Sequence, residues 1–157
     1  MMNRLLPIYQ KYESEISQEN IIDIFPPDEF EENFEYFTEY FSWGITLIME
    51  VDKKYAGFVS YHLVSDCEPG YSSLYLNKNP KWGHIKEIYV EKDLRYQQLG
   101  KKMVEKAEKE LQNLNACGAY LVDVSSYPKF WNSMGYVDTG KIVKEEGNAK
   151  IFEKLFN

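Results

Sequence analysis

The chain has 157 residues, 44% hydrophobic and 16% aromatic, with a net charge of −7; this is ample for one globular core and excludes a disordered polyelectrolyte. Its two cysteines, Cys67 and Cys117, stand far apart and form no C-x-x-C pair, which speaks against a metal or redox centre and for a reducing, cytoplasmic setting. No stretch approaches the roughly 18 apolar residues of a membrane span, and Met1–Pro7 is too short an apolar run for a secretory signal.

Charge is unevenly spread. Between Lys11 and Lys53 there is no Lys or Arg, yet that interval carries 12 of the 25 acidic residues. The other 13 acids share the rest of the chain with all 18 basic residues, a surplus of +5. A solvated acidic helix face accounts for this. So does a division between a basic part for an anionic cofactor and an acidic part for a cationic substrate. Nucleic acid is not an expected partner, because phosphate neutralisation needs a basic patch.

Along the chain, Arg4–Lys11 reads as a short edge strand, where Pro7 is tolerated. Ser17 caps a short helix over Gln18–Ile22, and Pro26-Pro27-Asp28 opens a second helix reaching about Ser42. Phe30, Phe34, Phe37 and Phe41 form one apolar stripe on that helix, which reads as core packing. Ile45–Val51 and Tyr55–Val64 read as a hairpin turning at Asp52-Lys53-Lys54. Asp66 to Gly83 is a long loop with a short strand at Leu74–Leu76. His84–Val90 is the next strand. Gln98 to about Leu114 is a helix with Leu99, Met103, Ala107 and Leu111 on one face. Ala119–Val124 is a buried strand, and Tyr127-Pro128 opens a short helix ended by Gly135. Strands near Tyr136–Lys144 and Ala149–Phe156 close the chain, turning at Glu146-Gly147-Asn148. The pattern predicts one α+β domain over residues 1–157 with a mixed sheet.

Chemistry concentrates where the His84–Val90 strand runs through Glu91-Lys92-Asp93-Leu94-Arg95-Tyr96-Gln97-Gln98 into the helix Leu99-Gly100-Lys101-Lys102. A helix start offers unpaired N–H groups and a positive dipole end, which suit a phosphate. Gly100 removes a side chain where a ligand would approach, and Arg95, Lys101 and Lys102 add positive charge. An ordinary strand-to-helix connection fits the same residues.

This segment resembles the Q/R-x-x-G-x-G/A motif of the GCN5-related N-acetyltransferase (GNAT) superfamily, with Arg95 first and Gly100 last. Gln98 stands where the first glycine is usual. Downstream, Phe130-Trp131-Asn132-Ser133-Met134-Gly135-Tyr136 resembles the family's F-Y-x-x-x-G-F element, and Glu87-Ile88-Tyr89-Val90 its E-h-x-V strand. The resemblance covers roughly residues 44 to 140. It implies a mostly antiparallel central sheet flanked by helices, with two central strands splayed apart, and acetyl-CoA as co-substrate without a metal. By resemblance the cofactor site comprises Ile88, Tyr89, Val90, Arg95, Tyr96, Gln97, Gln98, Leu99, Gly100, Lys101, Ser126, Phe130 and Trp131. A backbone N–H near Ile88 or Tyr89 would polarise the thioester carbonyl.

The same resemblance makes Glu87 the expected general base, through a water; His84 is an alternative with a suitable intrinsic pKa. The family commonly uses the tyrosine of F-Y as general acid, but here that position is Trp131, whose indole donates hydrogen bonds without acting as an acid. Tyr127 or Tyr136 stands in, or no acid is needed. Ser125 and Ser126 fall where the family often has an Asn on the cofactor arm.

The acidic and aromatic residues Glu35, Tyr36, Glu39, Tyr40 and the loop residue Tyr71 are the expected acceptor site, for ammonium groups are drawn to carboxylates and aromatic faces. The expected acceptor is a cationic primary amine: a polyamine, an aminoglycoside-like compound or a peptide amine. Two other classes compete. One is a non-catalytic acyl-CoA sensor of the same fold, favoured by Gln98 and Trp131; the other is a nucleotide-binding α/β protein, disfavoured because G-x-G-x-x-G and Walker patterns are missing. Monomer and homodimer are both left open.

Overall fold

A computed structural model of the chain describes residues 45–51, 54–64, 74–75 and 78–157. The elements expected within Arg4–Ser42 lie outside the described residues. In chain order the described elements are β1 (Ile45–Val51), β2 (Lys54–Leu63), β3 (Trp82–Val90), α1 (Leu99–Asn113), β4 (Gly118–Asp123), α2 (Pro128–Ser133), β5 (Val137–Val143) and β6 (Ala149–Leu155). The six strands hydrogen-bond in the order β1-β2-β3-β4-β6-β5. The α+β class and mixed sheet follow the expectation, with most boundaries within two residues of it.

The chain divides into two compact units, residues 1–60 with 87–103 and residues 61–86 with 104–157. In the first unit, β2 is buried from Ala56 to Ser60. Gly57 lies against the backbone of Tyr89, Glu91 N–H reaches the Ala56 carbonyl at 2.8 Å, and the Phe58 and Tyr89 rings meet at 6.0 Å.

In the second unit β4 is the central strand. It pairs in parallel with β3 from Trp82↔Gly118 to His84↔Tyr120, and antiparallel with β6 along its whole length. The parallel register ends at His84↔Tyr120, although β3 continues to Val90 and β4 to Asp123. One side of β3 meets α1, whose Leu111 fills the space left by Gly83. Leu99, Met103, Ala107 and Leu111 are all buried, together with Val104, so the helical stripe is the core face. Asn115 ends α1 in a left-handed conformation (φ 65°), and the Ala116 N–H returns to the Leu111 carbonyl at 3.0 Å, which satisfies carbonyls the helix leaves open. Glu108 on α1 holds Lys154 of β6 with both oxygens, at 2.9 and 3.1 Å.

The other side of β3 and its partner β4 carries an aromatic column. His62 meets His84 edge-on at 5.1 Å, His84 stacks on Tyr120 at 4.3 Å, and Tyr120 stacks on Tyr75 at 4.0 Å. Tyr75 also donates its hydroxyl proton to Glu153 at 2.8 Å. Here the expected strand at Leu74–Leu76 is corrected: Leu74 and Tyr75 form a helical turn. Tyr75 docks by ring stacking and a side-chain hydrogen bond, which outweigh the strand preference of one aromatic residue.

β5 is an edge strand and mostly exposed. Its register on β6 shifts between Asp138 and Ile142, at Gly140 (φ 77°), and Asp138 is tied to Lys150 at 2.8 Å. The β5–β6 turn passes through Gly147 and Asn148 at φ 65° and 61°, as the Glu146-Gly147-Asn148 sequence predicts.

A methyl group at Gly57 would lie on the Tyr89 carbonyl and 3.1 Å from Val90 Cα. Backbone cannot yield as a side-chain tip does, so Gly57→Ala should lower the unfolding free energy by about 2 kcal/mol or more. Urea denaturation of the variant beside the wild type reads this directly.

Candidate active site

The turn after β3 is a strand-to-helix connection with an unusual backbone. Lys92–Leu94 form one 3₁₀ turn, and the Leu94 N–H bonds the Glu91 carbonyl at 2.9 Å. Tyr96 and Gln98 are then both left-handed, at φ 64° and 62°, on either side of Gln97. The Gln98 carbonyl accepts the Lys102 N–H at 3.1 Å, so α1 begins at once. The N–H groups of its first turn, Leu99, Gly100 and Lys101, are donors that the helix itself does not use. Tyr96, Gln97 and Gln98 have exposed side chains, and Leu99 is buried.

Arg95 holds the turn from its start. Its Nε–H donates to the Val90 carbonyl at 2.9 Å, and its guanidinium lies over the Tyr89 ring at 5.8 Å. The sequence assigns Arg95 positive charge beside an anion; the structure adds that it staples the end of β3. On the same strand Glu87 and Ile88 are half-buried, Tyr89 is buried and Val90 half-buried. His84, the alternative base, is buried in the aromatic column.

The downstream residues belong to the other unit. The β4–α2 turn holds Ser126 at φ 57°, and the Tyr127 N–H donates to Asp123 Oδ1 at 3.1 Å. The resemblance places both Phe130 and Trp131 at the cofactor. In the structure Trp131 is the buried ring, 6% exposed, and Phe130 is only half-buried. Trp131 packs edge-on to Phe130 at 4.8 Å and to Tyr136 at 5.4 Å. Trp131 and Met134 are the buried residues of the stretch 130–134.

Tyr136 is 1% exposed. Burial first, then the nearby Glu108 carboxylate, pushes its hydroxyl pKa far above 10, which argues against it as a proton donor. Tyr127 is 52% exposed. Sequence reasoning passed over Asp123, a buried acid that closes an otherwise apolar strand, Ala119-Tyr120-Leu121-Val122-Asp123. Glu35, Tyr36, Glu39, Tyr40 and Tyr71 lie outside the described residues.

The sequence matches the Acetyltransferase (GNAT) family over residues 8–136. The chain belongs to this family. No curated protein matches it, but many solved structures share the fold. One is PH1933 from Pyrococcus horikoshii OT3, with TM-score 0.70 at 16% identity over 99% of this chain and 90% of that one. The PaiA N-acetyltransferase of Thermoplasma acidophilum, solved with coenzyme A, gives 0.64 at 13% identity over 99% and 92%. A predicted acetyltransferase from Clostridium acetobutylicum, solved with acetyl-CoA, gives 0.65 at 19% identity over 91% and 90%.

Within a GNAT chain the substitution at Gln98 acquires a physical meaning. The usual glycine sits at this point of the motif, and here the backbone is left-handed, a conformation that costs L-residues about 1–2 kcal/mol. Gln98 bears that strain without a glycine. Among the described residues no group of His, Cys, Asp and Glu is arranged to hold a metal, and no helix is long and apolar enough to cross a membrane.

Gln98→Gly should therefore raise the unfolding free energy by up to about 1 kcal/mol, the strain relieved less the entropy glycine adds to the unfolded chain; thermal unfolding of the two proteins checks it. A second expectation concerns pH. Burial raises the Asp123 carboxyl above its usual 3.8, while N–H groups of Tyr127, Trp131 and Ser126 pull it back. A native pKa above the unfolded one means stability that is present below pH 3.8 and is lost as pH rises through the native value. Relative to Asp123→Asn, the wild type should lose stability as pH rises above 3.8 in urea titrations, and a flat difference would refute the shift.

Proposed function

We propose that this GNAT chain transfers an acetyl group from acetyl-CoA to a primary amine. The observation that carries the reading is the alternating left-handed backbone at Tyr96 and Gln98 leading directly into α1. It presents N–H donors for a pyrophosphate, with Arg95, Lys101 and Lys102 supplying positive charge. The coenzyme A and acetyl-CoA complexes of the Thermoplasma and Clostridium proteins support the same co-substrate.

The β3 backbone at Ile88 and Val90 pairs with the amides of the pantetheine arm, as an edge strand takes a peptide. A neutral amine nitrogen attacks the thioester carbonyl carbon, and a β3 N–H near Ile88 or Tyr89 receives the developing oxyanion. The N–C bond forms, the C–S bond breaks, and sulfur leaves with the electron pair. The proton lost by the amine passes through water to Glu87. This step matters because an alkylamine of pKa about 10.4 is neutral in only about one molecule in 10³ at pH 7.

Tyr127 protonates the thiolate. A thiol pKa of about 8.5 limits the value of that proton to about 2 kcal/mol at neutral pH, so an acid is helpful without being indispensable. Ser126, beside it, is proposed to contact the cofactor arm. The acceptor is a cationic amine drawn by Glu35, Tyr36, Glu39, Tyr40 and Tyr71.

The competing reading, an acyl-CoA-binding module without turnover, draws on the burial of both Trp131 and Tyr136. Thiol release from acetyl-CoA, tested against polyamines, aminoglycosides and peptide amines, separates the two. Turnover is expected with at least one cationic amine, and Glu87→Gln should cut kcat by about 10²-fold. Heat protection by acetyl-CoA with no thiol release on any amine would sink catalysis and leave the binding module.

A further inference from the structure

Asp123 ends the central strand β4 and is 8% exposed. A carboxylate buried so far needs several hydrogen-bond donors. It receives the Tyr127 N–H on Oδ1 at 3.1 Å, and the Trp131 indole N–H also favours its charged form; the Ser126 N–H reaches the Asp123 main-chain carbonyl at 3.4 Å. The two backbone donors belong to the β4–α2 turn, where Ser126 holds φ 57°. The indole comes from the buried side of α2, and it is itself fixed by Phe130 and Tyr136 packed edge-on at 4.8 and 5.4 Å. One carboxylate thus joins the end of a strand, the turn after it and the first turns of the next helix. What this arrangement leaves facing solvent is the Tyr127 side chain, on a backbone held at φ −112°, ψ 60°.

We propose that Asp123 is a positioning residue for acyl transfer: through its hydrogen bonds to Tyr127 and Trp131 it fixes the turn that carries the Tyr127 hydroxyl. The inference rests on the acyl-transfer reading above. It also gives a reason for tryptophan at position 131. An indole is a donor only, so it can serve the Asp123 carboxylate permanently, whereas a hydroxyl would also need a donor of its own in that buried setting. The role of the missing acid passes to Tyr127. As the C–S bond breaks and its electron pair remains on sulfur, Tyr127 delivers the phenolic proton to that sulfur, and water returns a proton to the phenolate.

The test is a double-mutant cycle on the full chain, following coenzyme A release from acetyl-CoA with an amine that the wild type acetylates. Asp123→Ala should lower kcat by about tenfold, with KM for acetyl-CoA changed by less than about twofold, because geometry is lost and not affinity. Asp123→Asn should recover part of the loss, since its Oδ1 still accepts the Tyr127 N–H. In a Tyr127→Phe background, Asp123→Ala should cost less than about twofold more, since residues acting as a unit are not additive.

Equal losses in the two backgrounds, or a loss confined to KM, overturn the proposal. Should Asp123→Ala not fold, Trp131→Phe, which removes one donor and keeps the packing, takes its place in the cycle, and the same two results overturn the proposal. Failure of the underlying reading looks different. A wild type that releases no coenzyme A with any amine refutes acyl transfer, and the positioning role falls with it. A wild type that turns over beside an unaffected Asp123→Ala refutes the positioning role alone.

Discussion

The parallel pairing of β3 with β4 is the constraint from which the rest of the fold follows. Parallel neighbours cannot be joined by a tight turn; they need a crossover of a dozen or more residues, usually a helix. α1 is that crossover, and its buried stripe ends in Leu111 against Gly83 of β3. Because the crossover must start where β3 ends, the chain has to reverse from strand to helix within a few residues. That reversal is accomplished by the left-handed Tyr96 and Gln98 and stapled by Arg95 to Val90. The donor-rich helix start is thus a by-product of topology.

Antiparallel pairing of β4 with β6 along its full length frees β4 from relying on β3 beyond Tyr120. The short parallel register is sustainable only for this reason. Lys154 on β6 reaches Glu108 on α1, and Tyr75 reaches Glu153, so charged or polar contacts tie each layer to the same strand pair. In both cases a group that would be costly to bury alone is matched by a partner.

Burial also sorts the aromatic side chains by chemistry. Tyr75 and Tyr136 have hydroxyl pKa values raised by burial, each reinforced by an acidic neighbour, Glu153 or Glu108. These tyrosines are structural. Trp131 is buried with its N–H on Asp123, and Tyr127, one helical turn away, keeps its ring in solvent. The family's usual acid position has been turned inward here, and the neighbouring tyrosine is left outside.

Much of this was legible in the residues themselves. The spacing of Leu99, Met103, Ala107 and Leu111 fixes the α1 face, because a helix has only one period. Gly135 and Gly147 mark chain reversals, because few other residues tolerate positive φ. The Arg95–Gly100 and Phe130–Tyr136 patterns identified the family. What spacing did not reveal depends on contacts between residues distant in sequence. Leu74–Tyr75 read as a strand until stacking on Tyr120 and the bond to Glu153 made it a docked turn. Phe130 and Trp131 are adjacent aromatics that both share a helical face with Met134, so spacing did not decide which one is buried. Gln98 looked like a missing glycine, and the backbone kept the glycine's conformation regardless. Local sequence sets which conformations are cheap; which costly ones are kept is decided by the packing around them, and that exists only in three dimensions.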